Sequence, residues 1–155
     1  MNPSDSPSDP FNLARFLEAQ ADAYGEALGE LRRGRKRGHW MWFVFPQLAG
    51  LGQSWSAAFY GISGREEASA YLAHPVLGKR LQDGCTTLLT LHGRSAQDIF
   101  GTPDDLKLRS CLTLFASVAS DPGLFNAVLA KYYNNAPDPL TLRLLEQAKG
   151  RAEPL

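Results

Sequence analysis

At 155 residues, with 44% apolar and 21% charged side chains, the chain is long enough for one domain to bury about two-thirds of its extended surface without disulfides or metals. Its 16 basic and 16 acidic residues leave a formal net charge of zero, which argues against a dedicated nucleic-acid binder, whose footprint is a basic excess. No apolar run approaches the roughly 18 residues needed to cross a bilayer, and residues 1–9 lack both the basic and the hydrophobic region of a signal peptide, so the expected location is the cytoplasm.

Residues 1–9 read as a solvated tail, with Asp9-Pro10 as a cap and first turn. Leu13, Phe16, Leu17, Gln20, Ala21, Tyr24, Leu28 and Leu31 then recur at three- and four-residue steps, predicting an amphipathic helix over Phe11–Arg33. Its outer face takes Arg15, Glu18, Asp22, Glu26 and Glu30, and Gly34 ends it in the left-handed conformation. Arg32, Arg33, Arg35, Lys36 and Arg37 surround that end, where cations meet the negative pole of the helix dipole.

Next comes Gly38-His39-Trp40-Met41-Trp42-Phe43-Val44-Phe45-Pro46-Gln47, whose stretch from Trp40 to Phe45 is apolar on every side and reads as the central post of the core. Periodicity assigns such a run to neither strand nor helix. With one β-branched residue and no alternating neighbour to pair with, it is expected to be a short buried helix stopped by Pro46. Residues 47–52 form a glycine-punctuated loop, and 54–60 one or two helical turns.

From Ser63 onward, capping residues followed by a proline or an acid mark the boundaries. Ser63-Gly64-Arg65-Glu66 reads as a capping box before a helix through Ala73, and His74-Pro75 opens another as far as Leu91. Ser95 to Gly101 is a single turn. Thr102-Pro103, Asp121-Pro122 and Asp138-Pro139 open the last three helices, with Gly150 closing the final one and 151–155 a tail. Five of the ten prolines thus fall where a helix begins, and a missing amide there has no partner to lose, unlike one in a sheet. The expected fold is all-α: one domain over 10–150, about six or seven helices with short loops, and no β-sheet.

No phosphate loop, zinc spacing or nucleophile elbow is present, so no cofactor and no metal is expected. The two cysteines, Cys85 and Cys111, stand far apart and read as reduced, buried thiols. What remains is polar residues near the aromatic run. Lys36, His39, Trp40, Gln47 and Lys107 are the candidate ligand-binding residues, because ligand sites are apolar walls with a few convergent polar groups. His39, Asp105 and Lys107 are the candidate catalytic residues, a histidine being able to act as acid or base. Asp105 and Arg109, spaced i, i+4, are expected to pair. Tyr132-Tyr133-Asn134-Asn135 reads as a helix end, asparagine tolerating the left-handed conformation. The expected partner is a small anion, phosphorylated or nucleotide-like, with an interaction module using the basic turn 32–37 as the alternative; the oligomeric state is not legible.

The order Asp9-Pro10-Phe11-Asn12-Leu13, Arg33-x-Arg35-Lys36, His39-Trp40-Met41-Trp42-Phe43-Val44-Phe45-Pro46-Gln47, Gly50-Leu51-Gly52, Tyr71-Leu72-Ala73-His74-Pro75-Val76-Leu77-Gly78, Ile99-Phe100-Gly101, Asp105-x-Lys107-Leu108 and Thr113-Leu114-Phe115 resembles a bacterial domain-of-unknown-function family whose members often carry the label calpastatin. The resemblance covers nearly the whole chain after the tail and implies a single all-helical domain. It supplies no catalytic residues. The label is a misnomer for such a chain, since calpastatin is disordered when free and this sequence carries an aromatic core. One departure is Arg109-Ser110-Cys111-Leu112, where the family's pattern after the lysine more often reads Ser-Ser-Met, which weakens any special role for Cys111.

Overall fold

The computed structural model describes residues 9–152, so most of the two tails read from the sequence, 1–8 and 153–155, lies outside the described residues. Nine helices follow in order: α1 (Ala14–Arg32), α2 (Met41–Val44), α3 (Trp55–Phe59), α4 (Arg65–Ala73), α5 (Leu77–Thr90), α6 (Ala96–Phe100), α7 (Asp104–Val118), α8 (Gly123–Tyr133) and α9 (Pro139–Ala152). The fold is all-helical, as expected, but the count of six or seven is too low. Six helices span nine residues or more; α2, α3 and α6 are turn-length pieces of four or five residues that a periodic pattern cannot register. Among the described residues the one β-type contact is a parallel bridge between Leu48 and Ile62, made by Ala49 N–H to Ile62 O (2.8 Å) and Ile62 N–H to Gln47 O (2.9 Å).

The helix starts follow from side chains that accept orphan amides. Asp9 acts as the cap that the sequence suggests, its carboxylate accepting Leu13 N–H (2.6 Å) and Ala14 N–H (3.0 Å). Asp138 accepts Thr141 N–H (3.1 Å), Asp121 accepts Gly123 N–H (3.1 Å), and His74 Nδ1 accepts Val76 N–H (3.1 Å) and Leu77 N–H (3.2 Å). Of the five prolines only Pro139 is itself the first helical residue; the others stand one to four positions ahead. Ser63 is not a cap. Gly64 occupies that position, and Glu67, not Glu66, reaches back to Ser63 N–H (2.9 Å). The capping box lies instead at Ser95 and Asp98. Gly34 (φ 75°) and Asn134 (φ 53°) end α1 and α8 in the left-handed region, as their residue types predict, and α9 runs past Gly150.

The helix buried on most of its faces is α7, whose residues from Ser110 to Phe115 are all withdrawn from solvent. It packs on α4, α6, α8 and α9, while α5 joins α1, α4 and α8. That corrects the view of the aromatic run as the central post. Trp40, Met41, Val44 and Phe45 are core, but Trp42 and Phe43 are half-exposed, and the run seals one end of the bundle. Phe45 and Trp40 form an aromatic triangle with Phe100 of α6, ring centroids 6.1–6.4 Å apart. Phe45 enters a notch in α5 at Gly84, where a Cβ would lie 3.0 Å from its ring.

The C-terminal end of α5 is held from outside: Lys131 Nζ donates to the carbonyls of Leu88 (3.1 Å), Leu89 (2.9 Å) and Leu91, and Tyr132 Oη donates to Leu88 O (2.5 Å). Lys131→Met should therefore lower stability by about 0.5–1 kcal/mol, a cation at a helix C-terminus being worth that much. In thermal melts this is a loss of a few degrees, and an unchanged midpoint would show the cap to be idle.

Candidate functional site

The site is organised by Glu30, which the sequence placed on the outer face of α1 and which is 6% exposed. Gly34 turns the chain back over the end of α1, and Glu30 Oε1 accepts three N–H groups from the returning strand: Arg37 (2.7 Å), Gly38 (2.9 Å) and the Trp40 indole (2.8 Å). Burial alone raises the Glu30 carboxyl, but these hydrogen bonds and the Lys36 ammonium outweigh it and hold its pKa below the ordinary value. The backbone amide of Lys36 donates to Ile99 O (2.7 Å), fastening the turn to α6.

Thus fixed, Lys36 points inward while Arg32, Arg33, Arg35 and Arg37 are exposed. Its ammonium lies 2.8 Å from Asp104 Oδ2, 2.5 Å from Gly38 O and 5.1 Å from the Trp40 ring. The other oxygen of Asp104 takes Lys107 Nζ at 3.0 Å, and that ammonium stands 3.8 Å above the centre of the Trp42 ring. Two cations therefore converge on one carboxylate beside a half-exposed tryptophan. Burial pushes the Asp104 carboxyl up, but the two lysines pull it further down, so its pKa is depressed. Gln47 is buried on the same side: its amide and the Trp42 ring both lie within 4 Å of the space beside Gly52.

Lys36, Lys107 and the edge of Trp40 are thus brought together, with Gln47 across Trp42. His39 is not part of the cluster: it is exposed and has no hydrogen-bond partner among the described residues. Asp105 also lies apart from the two ammoniums' carboxylate. Its Oδ1 is buried without a partner, and its backbone carbonyl accepts Tyr133 Oη at 2.5 Å. The expected Asp105–Arg109 pair does not form, because the Arg109 guanidinium donates to the carbonyls of Ala136 (2.8 Å) and Pro137 (2.8 Å). Open clefts of about 160–410 Å³ elsewhere among the described residues are lined wholly by other residues.

Sequence reasoning missed Asp104 and Trp42. Asp104 stands in the first turn of α7, where the helix dipole alone accounts for an acid, although its i, i+3 spacing to Lys107 was legible. Trp42 passed as core. Among the described residues no three His, Cys, Asp or Glu side chains stand close enough to share a metal ion. Cys85 and Cys111 are free and buried, and burial raises the Cys85 thiol to about 12 and Cys111 well above its ordinary value, so both are inert thiols. No described helix is long and apolar enough to cross a membrane.

The chain resembles a solved structure, the conserved hypothetical protein Rv1873 from Mycobacterium tuberculosis, at 55% identity and a TM-score of 0.88, over 89% of this chain and 99% of that one. No curated protein matches the sequence. Residues 10–145, from the first cap to the last buried leucine, match the family described as a protein of unknown function, DUF1810. The chain, with its aromatic run and its lysine-flanked Asp104, belongs to that uncharacterised family.

Proposed function

We propose that the Lys36–Asp104–Lys107 cluster binds a small anionic ligand, a phosphorylated or nucleotide-like molecule, in a cytoplasmic protein, with Trp42 and Gln47 beside it. The observation that carries this reading is the donor inventory of Lys107. An ammonium has three N–H groups, and Lys107 spends one on Asp104 and turns its charge to the face of Trp42, leaving two donors without a partner among the described residues. The two ammoniums share the one carboxylate of Asp104, so a ligand oxyanion completes the hydrogen bonding of Lys107. A planar group on such a ligand would find aromatic surface at Trp42.

The test is thermal shift with inorganic phosphate, a nucleoside monophosphate and a nucleoside triphosphate against chloride at equal ionic strength. A binder at 100 times its Kd stabilises by about 2.7 kcal/mol, an upward shift of roughly 5–10 °C for a domain this size. Lys107→Met and Lys36→Met should each abolish the shift. If no anion raises the midpoint, or the shift survives in Lys107→Met, the reading fails.

The basic turn supports an interaction surface as a second reading. Arg32, Arg33, Arg35 and Arg37 are exposed and none is paired with a carboxylate among the described residues; Arg94 lies across Gly34, its Cδ 2.8 Å from where a Cβ would sit.

A further inference from the structure

Gln47 is buried for no reason that the fold supplies. It is 8% exposed, its backbone carbonyl accepts Ile62 N–H (2.9 Å), and its carboxamide has no hydrogen-bond partner among the described residues. Burying an unpaired amide costs free energy, so an apolar side chain of similar volume would serve the packing better. The side-chain atom sealed from solvent without a partner among the described residues is Asp105 Oδ1, which leaves the Gln47 amide a window to the outside. The amide stands next to Trp42: the place of a Gly52 Cβ is 3.9 Å from Gln47 Nε2 and 3.8 Å from Trp42 Cη2. That same place is 2.9 Å from Ala57 Cβ, a contact that accounts for the glycine but not for the glutamine. On the same indole, Lys107 Nζ lies 3.8 Å above the ring centre and spends one of its three N–H groups on Asp104.

We infer that the ligand of this site is a nucleoside phosphate, whose phosphoryl oxygens take Lys107 and whose base edge takes the Gln47 carboxamide, an assignment that rests on the reading of Lys36, Asp104 and Lys107 as an anion site. A carboxamide presents an N–H donor and a C=O acceptor side by side. A phosphoryl oxygen, an acceptor only, answers the first and leaves the second unpaired. The edge of a base answers both, as adenine does when its N6 amino group and N7 pair with a glutamine. Lys107 stands over the face of Trp42 and Gln47 past its Cη2 edge, so a molecule with one anionic and one planar end meets both groups along a single indole. Inorganic phosphate meets one of them. The half-exposed Trp42 ring supplies the surface on which a base of any kind packs.

The experiment is calorimetric titration of the full chain with ribose 5-phosphate and with the 5′-monophosphates of adenosine, guanosine, cytidine and uridine, read as the Kd of ribose 5-phosphate divided by that of each nucleotide. The expected result is a ratio of at least about ten for one nucleotide or more, the factor that a bidentate contact to a base edge supplies. Gln47→Met should bring that ratio close to one while the Kd of ribose 5-phosphate stays within about twofold of the parent's. Gln47→Asn keeps the amide but withdraws it by one methylene, so it should lower the same ratio, and it carries the test if the methionine variant does not fold. Lys107→Met should weaken all five ligands together. Nucleotides that bind no more tightly than ribose 5-phosphate, or an advantage that survives both Gln47 substitutions, overturn this inference and leave the anion site standing. If neither ribose 5-phosphate nor any nucleotide binds the parent chain, the anion reading falls and this inference with it.

Discussion

Replacing Arg15 by methionine is expected to destabilise the fold by about 3–5 kcal/mol, the cost of stranding one member of a buried ion pair. The guanidinium is 8% exposed and its partner Glu67 is 4% exposed, with 2.6 Å between NH2 and Oε2. The remaining N–H groups donate to the carbonyls of Phe59 (2.8 Å), Phe11 (2.7 Å), Asn12 (2.9 Å) and Gly61 (3.2 Å). One side chain thereby ties the entry of α1 to the end of α3 and the start of α4. Methionine fills similar volume but removes a donor from four carbonyls and leaves the Glu67 carboxylate buried without its counter-charge. At about 2–4 °C per kcal/mol, the melting temperature should fall by roughly 6–20 °C. Adding Glu67→Leu should recover part of the loss, because a stranded charge costs more than an absent pair. A midpoint within a degree or two of the parent would show that water, not Glu67, is the partner that matters.

The second large effect is Glu30→Ala, expected to cost about 3 kcal/mol, since it orphans two backbone amides and an indole N–H in a buried turn, each worth about 1 kcal/mol or more when left unsatisfied. Glu30→Gln keeps an acceptor oxygen and should cost less. Glu30→Gln also separates from the parent by pH. The Glu30 and Asp104 carboxyls titrate below their ordinary values of 4.5 and 3.8 in the folded chain, so the unfolded chain binds protons first as pH falls. The stability they contribute is complete above those values and is lost as pH drops through the folded ones. Denaturant melts at about pH 7 and about pH 3.5 should show a smaller acid loss in Glu30→Gln than in the parent. Equal losses in the two would remove Glu30 from the acid dependence.

These two residues also mark where the sequence was legible and where it was not. Helix ends decided by a local steric choice were read correctly: Gly34 and Asn134 sit in the left-handed region because few other residues tolerate it. Arg15 and Glu30 were both assigned to solvent, because a periodic pattern treats every charged residue as outward. Their burial depends on partners that no local rule supplies, Glu67 on another helix and Trp40 beyond a reversed turn. Glu18, Asp22 and Glu26 follow the rule, and only the exceptions carry the turn and the ties between helices. The site was half legible for the same reason. Lys36 and Lys107 stand out by chemistry, but that they meet on Asp104 is set by how α6 and α7 receive the turn, and His39, conspicuous in the chain, has nothing to face.

The seat of Phe45 at Gly84 bears on how the site comes into being. Four residues of α2 cannot hold a helix alone, and their anchor is a notch that exists only once α5 has closed against α1, whose Leu31 lies within 4 Å of the same glycine. Trp42 is therefore presented to Lys107 by pairing between segments about fifty residues apart. A peptide carrying residues 30–52 would keep Lys36, Trp42 and Gln47 but neither Asp104 nor Lys107, nor the notch that seats Phe45. The meeting of Lys36, Asp104 and Lys107 beside Trp42 is a property of the whole bundle, lost whenever α1 and α5 part.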